Sequence, residues 1–167
     1  DLDDAPRTLV AALGQALAPH ADAERAIGME AYMHHRFPFL GVPTPVRRRA
    51  TAAIIQGWRG NPLPAAQALW RCPEREFQYL ACDLLERHGP GLAAADLDGL
   101  LALVVDKSWW DTVDTLAKRV GTLVRSDPSL VSRLDRLIAD DNLWLRRVAL
   151  LHQLGWKGAT DPDRLFA

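Results

Sequence analysis

Two tryptophans and two aspartates stand within residues 108–114 of this 167-residue chain, at the start of a predicted helix. Ser108 and Asp111 have the spacing of an N-cap and its capping-box partner, which predicts a structural role for both. Asp114 has no such capping role. No packing rule requires this combination of residue types, so the segment is the first candidate for a site of chemistry.

The predicted helix presents two different faces. Its apolar stripe follows the spacing i, i+4, i+7, i+8 and i+11, which is typical of a helix that packs on a core. The residues of the stripe are Trp109, Val113, Leu116, Ala117 and Val120. Trp110 is turned about 100° from that stripe, and Asp114 follows one turn later on the same face. The pattern predicts a core role for Trp109 and places an aromatic ring and a carboxylate on one edge.

Arg147 is the second informative residue, because it interrupts an apolar stripe formed by Leu143, Leu150 and Leu154. The pattern predicts that Arg147 points inward or into a groove. In one interpretation its stem packs against leucines and its head meets water or a carboxylate. In the other it is a phosphate clamp, for which a planar guanidinium is well suited.

Helical periodicity and helix-start residues recur along nearly the whole chain, and no segment has the alternation of a strand. Thr44-Pro45, Cys72-Pro73 and Asp127-Pro128 each open a predicted helix. The predicted helices cover residues 7–18, 22–35, 45–57, 63–71, 74–88, 95–105, 109–124, 127–139 and 141–154. The sequence therefore predicts an all-α fold.

Tryptophans recur at Trp70, Trp110 and Trp144, about 34 to 40 residues apart, which is the length of a two-helix repeat. This spacing predicts an armadillo-type or HEAT-like superhelical array of antiparallel helix pairs, with a continuous core and one concave surface. A compact helical bundle is the alternative fold. Because arrays of this type usually bind other molecules, the fold alone favours a binding module over an enzyme.

Composition limits the class of protein. A hydrophobic content of 49% and a net charge of −1 fit a soluble globular domain, and they indicate neither a disordered chain nor a membrane span. The low net charge argues against a general nucleic-acid binder, although clustered arginines leave room for a basic face. Cys72 and Cys82 fit neither a redox pair nor a metal site, and His34 and His35 have no partner at metal-ligand spacing. We expect a cytoplasmic protein without a metal site.

Several separated motifs resemble the AlkD-like bacterial DNA alkylation repair enzymes, which are DNA glycosylases built from HEAT-like repeats. The most specific motif is the run from Lys107 to Asp114. The other motifs, in chain order, are Glu30–Met33, Phe37–Val42, Glu74–Tyr79 and Asp141–Arg147. Their order and spacing match the family along nearly the whole chain.

The resemblance implies hydrolysis of the N-glycosidic bond of N3- or N7-alkylated purines in duplex DNA, with no metal and no redox cofactor. An N-alkylated purine is positively charged, so the indole of Trp110 would hold the lesion nucleotide by cation–π and sugar contacts. Asp114 would stabilise the oxocarbenium character of the sugar and orient the attacking water. Trp110 and Asp114 are therefore the expected catalytic residues.

The resemblance also implies which residues contact DNA. Arg147 matches the phosphate-contacting arginine of the family, and Tyr32 matches an aromatic residue of the DNA-facing N-terminal helices. Lys107 and Trp109 belong to the same motif as the catalytic residues and are expected to contact DNA. The partner would be double-stranded DNA with alkylated purines, held in a shallow groove without the base flipping that most glycosylases use.

The sequence departs from the family at two points. Family members continue for about two further helical repeats, which carry another active-site tryptophan, whereas this sequence ends at Ala167. We expect residues 1–167 to be a single helical-repeat domain, which is either the N-terminal part of a longer array or a shortened relative. Its apolar end at Leu165-Phe166 is expected either to promote nonspecific association or to dock on a second copy. Family members also often carry a lysine at the position of Gly155, and Lys157 is expected to replace it in binding DNA.

Two functions from different classes fit these residues. One is a glycosylase that depends on Asp114 and Trp110, and the other is a noncatalytic helical-repeat module that binds DNA or a protein partner through the same groove. Without the resemblance, Trp110 and Asp114 fit equally well as a structural aromatic residue beside a solvated carboxylate. Likewise Tyr32, as an aromatic residue of an amphipathic helix, fits a place in the core.

Overall fold

The computed structural model describes residues 4–165, of which Leu165 is described by its backbone alone. The described part of the chain consists of helices, turns and loops and contains no strand. This confirms the predicted all-α, HEAT-like fold. The chain divides after His88 into two compact units. No helix among these residues has the length and apolar character needed to cross a bilayer.

The first unit is built from five α-helices. They are α1 (Asp4–Leu17), α2 (Ala23–Tyr32), α3 (Thr44–Gly57), α4 (Pro62–Trp70) and α5 (Arg75–His88), with a 3₁₀ turn at Ala18–His20. Helix α1 packs on α3 and α4, and α5 packs on α3 and α4. The core of the unit is formed by fully buried side chains such as Leu13, Leu69 and Leu84.

The second unit contains the segment that the sequence singles out for chemistry. Its α-helices are α6 (Leu97–Val105), α7 (Trp110–Ser126), α8 (Val131–Leu137), α9 (Leu143–Leu151) and α10 (Pro162–Leu165). Its 3₁₀ turns are Gly89–Gly91, Ala94–Asp96, Pro128–Leu130 and Lys157–Ala159. Helix α7 packs on α6 and α9, and α9 also packs on α6 and α8.

Each predicted helix is present, and its ends fall within a few residues of the predicted ones. The prediction was wrong in extending α2 to residue 35, because α2 ends at Tyr32 and His34 and His35 adopt the left-handed conformation, with φ of 54° and 55°. Helix α10 was not predicted, since four residues are too few to display a periodicity. The predicted docking end at Leu165-Phe166 lies outside the residues whose side chains are described.

A buried carboxylate joins two of the sequence motifs in the first unit. Glu76 is buried, and its oxygens accept hydrogen bonds from the backbone N–H groups of Leu40, Gly41 and Val42 at 3.0, 2.9 and 3.1 Å. Gly41 has a φ of 83°, and a Cβ at this position would overlap the carbonyl oxygen of Asp22. The loop at residues 40–42 is thus tied to α5 by charge-assisted hydrogen bonds and requires glycine where it passes α2.

Of the three consecutive arginines at residues 47–49, one is buried and two are exposed. Arg47 is buried, donates to Asp83 at 3.3 Å and lies 4.9 Å from the ring centre of Tyr79. Arg48 and Arg49 are exposed. Arg47 is therefore part of the packing between α3 and α5, and only Arg48 and Arg49 of the run face solvent.

Of the two buried helix faces predicted in the second unit, the face of α7 is confirmed and the face of α9 is wrong. Val113, Leu116, Ala117 and Val120 of α7 are fully buried, as their spacing predicts. In α9 the predicted stripe was wrong, because Leu143, Leu150 and Leu154 are exposed. The buried residues of this segment are Val148, Ala149, His152 and Gln153.

Gly121 of α7 explains which side of α9 is buried. A Cβ at this position would overlap the carbonyl oxygen of His152, so the end of α9 comes against the backbone of α7 itself. This approach buries the side of α9 that carries Val148 and His152 and leaves the leucines on the outer side. Helical periodicity cannot tell which of two apolar sides meets a glycine on another helix.

His152 is a buried titratable residue beside this contact. Its Nδ1 lies 2.6 Å from the carbonyl oxygen of Ala149, and because a carbonyl only accepts, Nδ1 carries the proton. Nε2 is buried and finds no hydrogen-bond partner among residues 4–165, and the ring meets Trp156 edge-on at 5.5 Å. Burial lowers the pKa of His152 below its ordinary value. The hydrogen bond to Ala149 opposes this effect, and Arg164 and Asp135 have smaller effects, which lower and raise the pKa respectively.

We predict that Glu76→Gln lowers the free energy of unfolding by about 2–3 kcal/mol. The glutamine amide is neutral and its nitrogen only donates, so it cannot replace a carboxylate that accepts three backbone hydrogen bonds. The measurement is the free energy of unfolding in urea. Glu86→Gln is the matched control, since Glu86 is exposed on the same helix, and it should change stability by less than about 0.5 kcal/mol. Equal effects of the two substitutions would contradict the role given to Glu76.

We also predict that stability falls as the pH drops below 6.5, the ordinary pKa of histidine. The folded state holds His152 at a lower pKa, so below pH 6.5 the unfolded state binds more protons and gains free energy relative to the folded state. Thermal unfolding at about pH 8 and about pH 5 measures this loss. His152→Gln should have a smaller loss than the unsubstituted protein, and an unchanged loss would assign the pH dependence to other groups.

Candidate active site

The chain turns sharply just before α7. Lys107 adopts the left-handed conformation with a φ of 49°, and the N-cap residue Trp109 is extended, with a φ of −159°. The predicted capping box was wrong: Ser108 donates its hydroxyl to the carbonyl of Val104 at 2.6 Å, and Asp111 accepts the N–H of Thr112. Left-handed backbone at a residue with a side chain costs energy and is often found at functional sites.

Trp109 packs against the beginning of α9. Its ring centre lies 5.8 Å from that of Trp144, with the two planes tilted by 56°. Trp109 is half-buried, so the predicted core position is only partly correct. The contact between two large aromatic rings fixes the first turn of α9 beside the first turn of α7.

Arg147 lies one turn after Trp144 and reaches the carboxylate of Asp114. The Nε atom donates to Oδ1 at 2.6 Å, and Nη2 donates to Oδ2 at 2.8 Å. This is a bidentate pair, the strongest geometry between the two groups. The hydrogen bond to Asp114 raises the pKa of Arg147 above its ordinary value, so the guanidinium remains charged. Of the two interpretations of Arg147, pairing with a carboxylate is confirmed, and contact with a phosphate stays a prediction.

Trp110 occupies the solvent side of the same edge. Its side chain is 45% exposed, and Asp114 follows it by one turn of α7. The side chains of Asp114 and Arg147 are 30% and 39% exposed. An open indole, a carboxylate and a guanidinium are thus brought together at the surface of the second unit, where they can meet a large ligand.

The other predicted DNA contacts are less closely tied to this group. Lys157 is exposed and has a φ of 52° at the start of its 3₁₀ turn, and within residues 4–165 no hydrogen bond or ion pair joins it to Asp114. Tyr32 belongs to the first unit and is 71% exposed, so a place in the core is wrong for it. Exposure leaves Tyr32 accessible to a partner.

A family of known proteins matches nearly the whole chain. The model of the DNA alkylation repair enzyme family matches residues 13–167. The chain belongs to this family. A solved structure titled as a predicted DNA alkylation repair enzyme from Enterococcus faecalis is similar, with a TM-score of 0.77 and 32% sequence identity over 87% of this chain and 71% of that chain. The comparison with curated proteins found no match.

Membership in the DNA alkylation repair enzyme family confirms the resemblance found in the sequence motifs. It supports a role in the repair of alkylated DNA and makes DNA the expected substrate. Trp144 was not among the predicted site residues, although it marks a repeat and lies in the Asp141–Arg147 motif. The signal was present, because Trp144 and Arg147 stand three residues apart and so share one side of α9.

We predict that Asp114→Asn leaves this repair family member folded and costs no more than about 1 kcal/mol, because the pair is partly exposed and therefore screened by solvent. Urea unfolding tests this. Asp98→Asn removes the partner of Arg133 in a more exposed ion pair of the same unit and serves as a control. A loss of several kcal/mol at Asp114 alone would instead make the pair a structural element of the fold.

Proposed function

We propose that this protein is a DNA glycosylase that hydrolyses the N-glycosidic bond of N3- or N7-alkylated purines in duplex DNA, as the first step of base excision repair. The observation that carries the proposal is the bidentate anchoring of Asp114 by Arg147 one turn after an exposed indole. Chemistry on a cationic base needs both a site for the cation and a fixed negative charge near the sugar.

Each side chain has a separate task in this reaction. The alkylated purine is cationic, and Trp110 offers its nucleotide an indole face that attracts positive charge. The bond between C1′ and the purine nitrogen breaks, and its electron pair leaves with the base, which becomes neutral without being protonated. The carboxylate of Asp114 stabilises the positive charge that develops on the sugar.

Water completes the hydrolysis. Asp114 orients a water molecule so that its oxygen bonds to C1′, and the proton lost by the water passes through the carboxylate to solvent. The sugar then carries a hydroxyl group, and the site in the DNA is abasic. This sequence of bond changes requires only the substrate, water and a carboxylate.

The surroundings of the site suit a substrate that stays in the duplex. Trp110, Asp114 and Arg147 are all partly exposed, so the lesion need not enter a deep pocket. We assign backbone contacts to Arg147, Lys107 and Lys157, and further contacts to Trp109 and Tyr32. Cations of this kind hold the phosphates of DNA and set its register without reading the bases.

The test is release of 7-methylguanine and 3-methyladenine from methylated duplex DNA. We expect the unsubstituted protein to release base, and Asp114→Asn to slow release by about 10²-fold or more while DNA affinity changes little. Asp111→Asn is the matched control, since Asp111 stands in the first turn of the same helix and accepts the backbone N–H of Thr112.

The alternative is a noncatalytic helical-repeat module that binds DNA or a protein partner. It would be favoured if the folded protein bound duplex DNA but released no base. Release of base by Asp114→Asn as fast as by the unsubstituted protein would instead contradict the role proposed for Asp114. Affinity measured by a change in fluorescence anisotropy of labelled duplex separates loss of binding from loss of chemistry.

A further inference from the structure

The imidazole of His152, directly after α9, is buried with one of its nitrogens unpaired. The residue is only 4% exposed. Its Nδ1 donates to the carbonyl oxygen of Ala149 at 2.6 Å, whereas Nε2 has no hydrogen-bond partner within residues 4–165. The neutral ring therefore keeps a lone pair on Nε2, which can take up a proton.

A proton on Nε2 would cost free energy in these surroundings. The cation would have a second N–H group without an acceptor, and an unpaired buried charge is far less stable than a neutral polar group. Trp156 meets the ring edge-on at 5.5 Å, but its buried Nε1 only donates and is itself unpaired within the described residues. Burial accordingly lowers the pKa of His152. The charged ring is thus more stable in water than in its packed position.

The charged residues of the neighbouring helices do not change this conclusion. Asp135 of α8 favours the charged ring, but Arg164 of α10 opposes it, and these two residues pair with each other. Helix α7 meets His152 at Gly121, and Arg119 of α7 packs against the turn that follows α5. Other charged residues of the packed helices are exposed, namely Lys118 and Arg125 of α7, Arg133 and Arg136 of α8, Asp98 of α6, and Asp163 of α10.

His152 also forms the contact that holds the end of α9 on α7. Its backbone carbonyl oxygen lies so close to Gly121 that a Cβ at residue 121 would overlap it. The ring and the carbonyl belong to one residue, so a ring that moves into water disturbs this contact. At the start of α9, Trp144 packs on Trp109. Arg147 stands between the two contacts and depends on both for its position.

We infer that His152 is a positioning residue: its neutral ring holds the end of α9 on α7, and a proton on Nε2 releases that end and displaces Arg147 from Asp114. The inference rests on the proposed glycosylase function. A proton binds more strongly to the released state than to the packed state, so acidification increases the population of the released state. A displacement of about 1 Å in a catalytic geometry can cost about 10²-fold in rate, so base release should fall with it.

Variants of His152 that cannot take up a proton test this role. Phenylalanine keeps an aromatic ring, and glutamine keeps an amide donor for Ala149, while neither becomes charged in acid. His88→Gln is the matched control, because His88 is a half-buried histidine of the first unit whose Nε2 lies 2.8 Å from the carbonyl oxygen of Ile55. For each protein we would measure the rate constant of 7-methylguanine release, with enzyme in excess, between about pH 8 and about pH 5. Circular dichroism at each pH defines the range in which the protein stays folded.

We expect all four proteins to release base at similar rates at about pH 8. On acidification within the folded range, the unsubstituted protein and His88→Gln should lose at least about tenfold in rate constant, and both His152 variants less than about threefold. A merely structural role of His152 would lower the rates of its variants at every pH and leave the pH dependence unchanged. That result overturns the inference, and so does an unsubstituted protein whose rate does not fall in acid.

Hydrogen exchange of the free protein gives a second measurement that does not depend on catalysis. After correction for the intrinsic effect of pH, we expect the amides of α9 to lose protection in acid in the unsubstituted protein and to keep it in His152→Phe. The amides of α5 should stay protected in both, which excludes global unfolding. Protection of α9 that is independent of pH would overturn the inference. Acid release of α9 in a protein that frees no base at any pH would overturn the proposed glycosylase function and leave the hold of His152 on α9 standing.

Discussion

Close packing of α9 on α7 decides where the candidate catalytic groups lie. At Gly121 the absence of a side chain lets the carbonyl of His152 approach the backbone of α7. Near the other end of α9, Trp144 packs on Trp109. Between these contacts the geometry of the two helices brings Arg147 to Asp114 at hydrogen-bond distance. The ion pair is therefore a consequence of helix packing, and its orientation is as rigid as that packing.

Buried polar groups have a different purpose in the first unit. Glu76 accepts hydrogen bonds from three backbone N–H groups of one loop. Arg75, its neighbour in the Glu74–Tyr79 motif, is fully buried, and its guanidinium lies 3.8 Å from the ring centre of Phe37. Burying such groups costs free energy unless they form hydrogen bonds or ion pairs. Here they stabilise an irregular loop whose backbone forms no regular hydrogen-bond pattern. Charged residues in a sequence motif can thus stabilise the fold instead of forming a functional site.

Electrostatics also differ from what composition suggests. A net charge of −1 leaves little general attraction for DNA. Several arginines are paired with aspartates of their own unit, namely Arg47 with Asp83, Arg133 with Asp98, Arg147 with Asp114 and Arg164 with Asp135. Under the proposed function, DNA binding would depend on a few placed cations more than on total charge, since an arginine that pairs on one edge still has donors on the other.

The sequence by itself determined the all-α class, the approximate span of each longer helix, the buried face of α7 and the shared edge of Trp110 and Asp114. These features follow from local spacing, because residues three or four apart on a helix are neighbours whatever surrounds them. Membership in the repair family also followed from the order of separated motifs, and the comparisons confirm it.

Only the tertiary structure decided which side of α9 is buried, which arginine of the run 47–49 lies inside, and which partner Arg147 takes. Apolar periodicity predicted the wrong side of α9, because the choice depends on a glycine more than twenty residues earlier in the chain. The partner of Arg147 stands 33 residues away, so no local pattern contains it. Contacts between distant segments arise from the packing of complete helices, and that packing is fixed only when the chain has folded.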